Sequence, residues 1–169
     1  QGKVILKKVQ APSGQWAQTY YIYDGFGNLV CVMPPEAVAR LATEFYHSGA
    51  TDATKEAFLR RWAFRYAYDA RKRMTLKQVP GADAVCMVYD KRDRLVLTQD
   101  GNHRSGSTTY WTFTKYDELN RPILTGIKDT TAALTQAQMQ SVVDAFYNKA
   151  WTKYGETYVG TQSGNVHGY

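Results

Sequence analysis

The stretch YDGFGNL, Tyr23 to Leu29, decides how this chain is read, because close variants of it return three times. They are YDARKRM at 68–74, YDKRDRL at 89–95 and YDELNRP at 116–122. Aligned on Tyr-Asp, the third residue after Asp is Gly27, Lys72, Asp93 or Asn120. The next is Asn28, Arg73, Arg94 or Arg121, followed by Leu29, Met74, Leu95 or Pro122. The copies lie 45, 21 and 27 residues apart, so the shortest spacing is the bare unit and the others carry insertions. Each Asp is preceded by a run of strand formers (QTYYIY, FRYAY, AVCMVY, YWTFTKY) and followed by another (LVCVM, MTLKQV, LVLTQ, PILTGI). A turn between two such runs reads as a β-hairpin. An Asp that opens a turn accepts backbone N–H groups two residues on. Gly, Asn and Asp tolerate the left-handed conformation that closes a short hairpin loop. Lys72 is the exception and is expected to carry strain there. Each motif Asp therefore reads as a turn former rather than a catalyst.

Period-two alternation puts Tyr21 with Tyr23 on one face, Phe64 with Tyr66 and Tyr68, Val85 with Met87 and Tyr89, and Thr112 with Thr114 and Tyr116. Stacked hairpins would align the motif tyrosines in a ladder across the sheet. The residues assigned to the repeat are Tyr23, Asp24 and Gly27, then Tyr68, Asp69 and Arg73, then Tyr89, Asp90 and Arg94, then Tyr116, Asp117 and Arg121.

Thirteen Tyr, six Phe and four Trp suit strands with amphipathic aromatic faces, and 44% hydrophobic with 21% charged residues suits a soluble globular piece. No apolar run approaches the roughly 20 residues of a membrane span. The chain opens on Gln1 in a strand-like segment, QGKVILKKV, with no secretory signal, which reads as a piece of a longer protein. A net charge of +6 raises nucleic acid as a partner. The cations, however, gather in turns (RKR at 71–73, KRDR at 91–94) and at Arg60 and Arg61, away from the aromatic positions. Single-strand binders interleave the two types, so the basic residues read as a solvated rim and nucleic acid is not expected. Cys31 and Cys86 sit in strand-like runs and read as buried free thiols, with one disulfide between them left open.

Four ordered copies of the motif resemble the YD-repeat proteins, also called the rearrangement-hotspot family. Their unit is Tyr-Asp, two variable residues, Gly, Arg or Asn, then Leu. YIYDGFGNLV fits closely, FRYAYDARKRM and MVYDKRDRLVLTQD depart at Lys72 and Asp93, and FTKYDELNRPILTGI departs at Asn120 and Pro122. The likeness covers about residues 18–127 apart from helical inserts. It implies a strip of β-hairpins wound into a shell, which in many bacterial members encloses a cleaved C-terminal toxin domain. It also implies a secreted or cell-surface location and partners within the chain's own polypeptide; no cofactor is expected, since the sequence has no P-loop and no GxGxxG. The residues that carry out the family's self-cleavage match no position in this chain.

The expected fold is mainly β with helical insertions: an antiparallel sheet of stacked hairpins and three helices, about 35–48, 53–62 and 135–154. Four hairpins fill 18–127 with an insert at 35–62, a helical region follows at 128–155, and 156–169 begins a further strand. Pro35 suits the first turn of the first helix, whose apolar face is Val38, Leu41, Ala42 and Phe45, and Gly49 stops it. Ala57, Phe58 and Trp62 of the second are expected to dock on the sheet. Thr135 and Gln138 form a capping box for the third, whose stripe is Met139, Val142, Val143, Phe146, Ala150 and Trp151, ending at Gly155. His47, His103 and His167 lie at a helix end, in a loop and in the tail, with no metal spacing, and DGNH at 100–103 reads as a loop turn. No nucleophile–base pair can be nominated, so an enzyme is not expected. The alternative to a structural module is a carbohydrate or cell-surface binding module, with tyrosine and tryptophan rings against sugar faces and basic tips against acidic glycans.

Overall fold

A computed structural model describes residues 2–130 and 132–149, so Ala150, Trp151, Gly155, His167 and the expected strand at 156–169 lie outside the described residues. The chain is mainly β, with nine strands in antiparallel pairs and three α-helices among the described residues. It divides into two compact units, Gln1–Ala84 and Val85–Tyr169.

The first unit holds β1 (Leu6–Gln10), β2 (Trp16–Tyr23), β3 (Leu29–Met33), α1 (Pro35–Arg40), α2 (Asp52–Trp62), β4 (Phe64–Tyr68) and β5 (Met74–Gln78). Each strand pairs with the next in sequence, β1 with β2 through to β4 with β5. The motif turns 24–28 and 69–73 close one end of this meander, and the helical insert fills the connection at the other. Pro35 takes the first turn of α1. The helix then widens into a π-helical turn, Leu41–Phe45, and ends there rather than at 48. A π turn holds more residues per turn and rotates the faces past it. Of the expected face, Val38, Leu41 and Phe45 are half-buried, but Ala42, inside the π turn, is exposed; Ala37, outside that face, is the fully buried residue of α1. In α2, capped by Thr51 and Thr54, Phe58 is buried and stacks edge-on against Phe45. Ala57, expected against the sheet, is exposed. Trp62 instead sits between the guanidinium groups of Arg40 and Arg61 and donates to Glu44.

The second unit holds β6 (Val85–Tyr89), β7 (Leu95–Gln99), β8 (Thr109–Tyr116), β9 (Pro122–Thr130) and α3 (Gln136–Tyr147). Here too consecutive strands pair, β6 with β7, β7 with β8 and β8 with β9. Its core is Val88, Val96, Leu97, Trp111, Met139, Val143 and Tyr147, with Phe113 and Tyr116 packed against it. Thr135 and Gln138 form the capping box of α3. The buried stripe runs Met139, Val143, Tyr147 at a spacing of four, and Val142 is exposed. Two glutamines on α3 bond the strand backbone directly. Gln140 accepts from the Tyr89 N–H and donates to the Tyr89 carbonyl, and Gln136 donates to the Met87 carbonyl. A side-chain amide has the donor and acceptor of a peptide group, so this helix face serves β6 as a neighbouring strand would. Opposite, the Phe113 ring lies over Gly126, where a Cβ would come within 2.7 Å of the ring.

The four motif turns share one backbone conformation. In each, the N–H of the third residue after Asp donates to the Asp carbonyl, and the Asp N–H donates to the carbonyl four residues on. That third residue is left-handed every time: Gly27 at φ 82°, and Lys72, Asp93 and Asn120 at φ 62°. A Cβ in that region costs on the order of 1 kcal/mol, less for Asn and Asp than for Lys. Replacing Lys72 by Gly is therefore expected to raise the unfolding free energy by roughly 0.5–1 kcal/mol after the entropic cost of Gly, measured by urea denaturation. A destabilised Lys72→Gly would show that the turn is not strained there.

Candidate functional site: the tyrosine–aspartate turns

Backbone geometry leaves the N–H groups two and four residues after each Asp pointing into the turn. The carboxylate fills that space. Oδ1 of Asp24 accepts from Phe26 and Asn28, that of Asp69 from Arg71 and Arg73, that of Asp90 from Arg92 and Arg94, and that of Asp117 from Leu119 and Arg121. All eight bonds are 2.8–3.0 Å. The second oxygen takes the side chain of the fourth residue: Asn28 Nδ2 at 2.8 Å, and Nε of Arg73, Arg94 and Arg121 at 2.6 Å. This explains the choice of Asn or Arg, since both carry a planar N–H donor within reach of a carboxylate already held by their own backbone. A longer Glu would overshoot those N–H groups.

Three of these carboxyls are held below their ordinary value of 3.8. For Asp24 the amide of Asn28 is the chief cause. Burial raises Asp69, but the backbone and guanidinium of Arg73 outweigh it. For Asp117 the Arg121 backbone N–H dominates.

Past each turn the second strand carries one extra residue. Tyr23 pairs with Leu29 but Ile22 with Cys31, which leaves Val30 without a residue opposite. Thr75, Val96 and Ile123 fall at the same place in the other hairpins. All four are β-branched. Such bulges increase local twist and shift the side-chain phase, which is how the consecutive Val96 and Leu97 are both buried.

Two of the motif tyrosines, Tyr68 and Tyr116, reach across to the preceding strand. Tyr68 Oη donates to the Leu29 carbonyl at 3.0 Å and Tyr116 Oη to the Leu95 carbonyl at 2.8 Å. In each the acceptor is the fifth residue after the previous motif Asp. Tyr23 Oη donates to the Val4 carbonyl at 3.1 Å, and Tyr89 Oη lies 3.7 Å from Met87 Sδ. Burial pushes the hydroxyls of Tyr68 and Tyr116 up.

The basic residues of the turns are not uniformly a solvated rim. Arg94 is 9% exposed and Asp90 1%. Beyond its bond to Asp90, the Arg94 guanidinium lies 5.0 Å over the Tyr116 ring and donates to Asn120 Oδ1 in the next turn. Burial of the pair follows from its packing against the ring and turn of the next hairpin, which charge and turn propensity alone do not reveal. Arg121, in the last turn, has a side chain 70% exposed.

The other candidates for chemistry do not converge. His103 lies in a one-turn helix, Asn102–Arg104, with its backbone N–H on Asp100. Among the described residues no three His, Cys, Asp or Glu side chains gather as a metal group. Cys31 and Cys86 are free and half-buried rather than fully buried, and desolvation pushes both thiols up. No helix among the described residues is long and apolar enough to cross a membrane. No protein-family model and no curated protein matches the chain.

The four turns differ mainly in burial, so their ion pairs should differ in worth. Truncating Arg94 to Ala is expected to cost about 3–5 kcal/mol, because it strands a buried carboxylate. Arg121→Ala is expected to cost under about 1 kcal/mol, as an exposed pair does. Chemical denaturation of the two variants checks the order, and equal losses would contradict it.

Proposed function

We propose that this chain is a structural repeat module without enzymatic activity, a stretch of β-hairpin wall from a YD-repeat protein. The observation that carries this reading is the use of the motif residues. Each Asp is consumed in closing its own turn, and Tyr68 and Tyr116 are consumed in joining a hairpin to the one before. A residue whose polar atoms are already spent on the backbone is built for repetition rather than for turnover. On this reading residues 18–127 are four repeats with a helical insert at 35–62, and the wall requires no cofactor. The motif resemblance extends the proposal to a secreted or surface-exposed bacterial shell, whose partners are neighbouring repeats and an enclosed C-terminal domain.

One observation favours the second reading, a carbohydrate or cell-surface binding module. Trp16, Tyr20 and Ile22 alternate along β2 and are 55%, 36% and 41% exposed. An exposed aromatic row suits a sugar face. Against it, the groove of about 590 Å³ on α2 is lined by Ala53, Glu56, Ala57, Arg60, Arg61 and Gly81, with no aromatic residue.

The two readings separate on the full-length parent protein. Limited proteolysis under native conditions, followed by mass spectrometry, is expected to find the segment after the repeats cleaved from them yet retained and protected. Rapid digestion of an uncleaved segment would reject the shell and leave surface binding to be tested on glycan arrays.

A further inference from the structure

The first strand carries half of a motif that the sequence does not advertise. β1 meets β2 in the register that β3 keeps with β4 and β7 with β8. Leu6 lies opposite Tyr20 as Cys31 lies opposite Arg65 and Leu97 opposite Phe113. In the two latter pairs, the seventh residue after one motif Asp faces the residue three before the next motif Tyr. A second count agrees with the first. Tyr23 bonds the Val4 carbonyl as Tyr68 bonds Leu29 and Tyr116 bonds Leu95, the fifth residue after an Asp. Both counts place the missing Asp two residues before Gln1. By the same count Gly2 falls where the other motifs have Gly27, Lys72, Asp93 or Asn120, Lys3 where they have Arg or Asn, Val4 where they have Leu, Met or Pro, and Ile5 where they have the β-branched bulge residue.

Lys3 behaves as its position requires. Its ammonium lies 4.7 Å over the Tyr23 ring and donates to the Gly27 carbonyl in the next turn. Arg94 does the same to the Tyr116 ring and the turn at Asn120. Among the described residues β1 pairs with β2 alone, and Val4, Ile5 and Val9 are 61%, 67% and 51% exposed. Lys7 and Lys8 blunt this edge, but its unpaired backbone groups remain a template for a further strand.

We propose that the outer edge of β1 takes an antiparallel strand ending in Tyr-Asp, one residue removed from Gln1 and continuous with it, so that β1 is the closing strand of a further hairpin. The Asp carboxylate of that strand would accept the Lys3 N–H, as Asp90 accepts that of Arg94. The proposal rests on the hairpin geometry and not on what a wall encloses, so the proteolysis experiment can fail while this one succeeds.

The test adds to the 169-residue chain the opening strand of its own third hairpin, AVCMVYDK (residues 84–91), directly before Gln1. This puts the Asp at the required position. A control carries the same extension with one extra Gly before Gln1, which moves the Asp out of register. The in-register extension is expected to raise Tm by about 3 °C over the control and to slow hydrogen exchange at the β1 amides facing away from β2. Equal Tm and equal exchange in the two extended chains would overturn the proposal. So would a dimer in sedimentation that persists in the in-register chain, which would assign the edge to a second copy.

Discussion

The four motif hairpins depend on a carboxylate held inside each five-residue turn. Without it the turn is ordinary. Ala11 to Gln15 makes the same backbone bonds, with Gly14 at φ 80°, and has no Asp. What the Asp adds is a fixed partner for the two N–H groups that the turn leaves inside, and a second oxygen that captures the following Asn or Arg. The captured side chain is thereby aimed along the turn. From Arg94 it reaches the neighbouring hairpin's ring and loop. The bulge one residue further on resets the phase of the returning strand, and the tyrosine hydroxyl then meets a carbonyl of the strand before it.

This chain of constraints accounts for tolerance as well as repetition. The left-handed position accepts Lys, Asp or Asn because the carboxylate bonds offset about a kilocalorie of backbone strain. Insertions are accommodated at the end of the meander opposite the motif turns, where a long connection costs only a slowly growing closure entropy. The connection between β3 and β4 carries two helices, and that between β7 and β8 only a single 3₁₀ turn. A module built this way lengthens by adding hairpins and diversifies by its inserts.

Much of the hairpin order was legible, because Tyr-Asp and its flanking runs carry both the turn chemistry and the period-two pattern. The turn at Lys72 and the capping box at Thr135 lay in local sequence too, whereas that at Thr51, closed by Thr54, did not. What escaped depends on contacts that no window reports. The π turn at Leu41–Phe45 breaks helical periodicity from within, and Ala42 is exposed there. Gln136 and Gln140, which carry no sequence signal for it, complete a strand's hydrogen bonds. Arg94 looked like a surface cation and is buried by its neighbour's tyrosine. The bulge did leave a signal, a β-branched residue six places after every Asp, which alignment on the turn alone does not expose.

The central claim is that the turns hold Asp24, Asp69 and Asp117 as carboxylates. Donors to a carboxylate favour its charged form, so the folded value lies below the unfolded one. The stability so contributed is complete above the unfolded value and is lost as pH falls through the folded one. The most direct measurement is a carboxyl ¹³C NMR titration of the folded protein, following Asp24, Asp69 and Asp117. All three are expected to titrate below the ordinary 3.8. Values at or above 3.8 in the folded chain would mean that the turns are not built around these carboxylates.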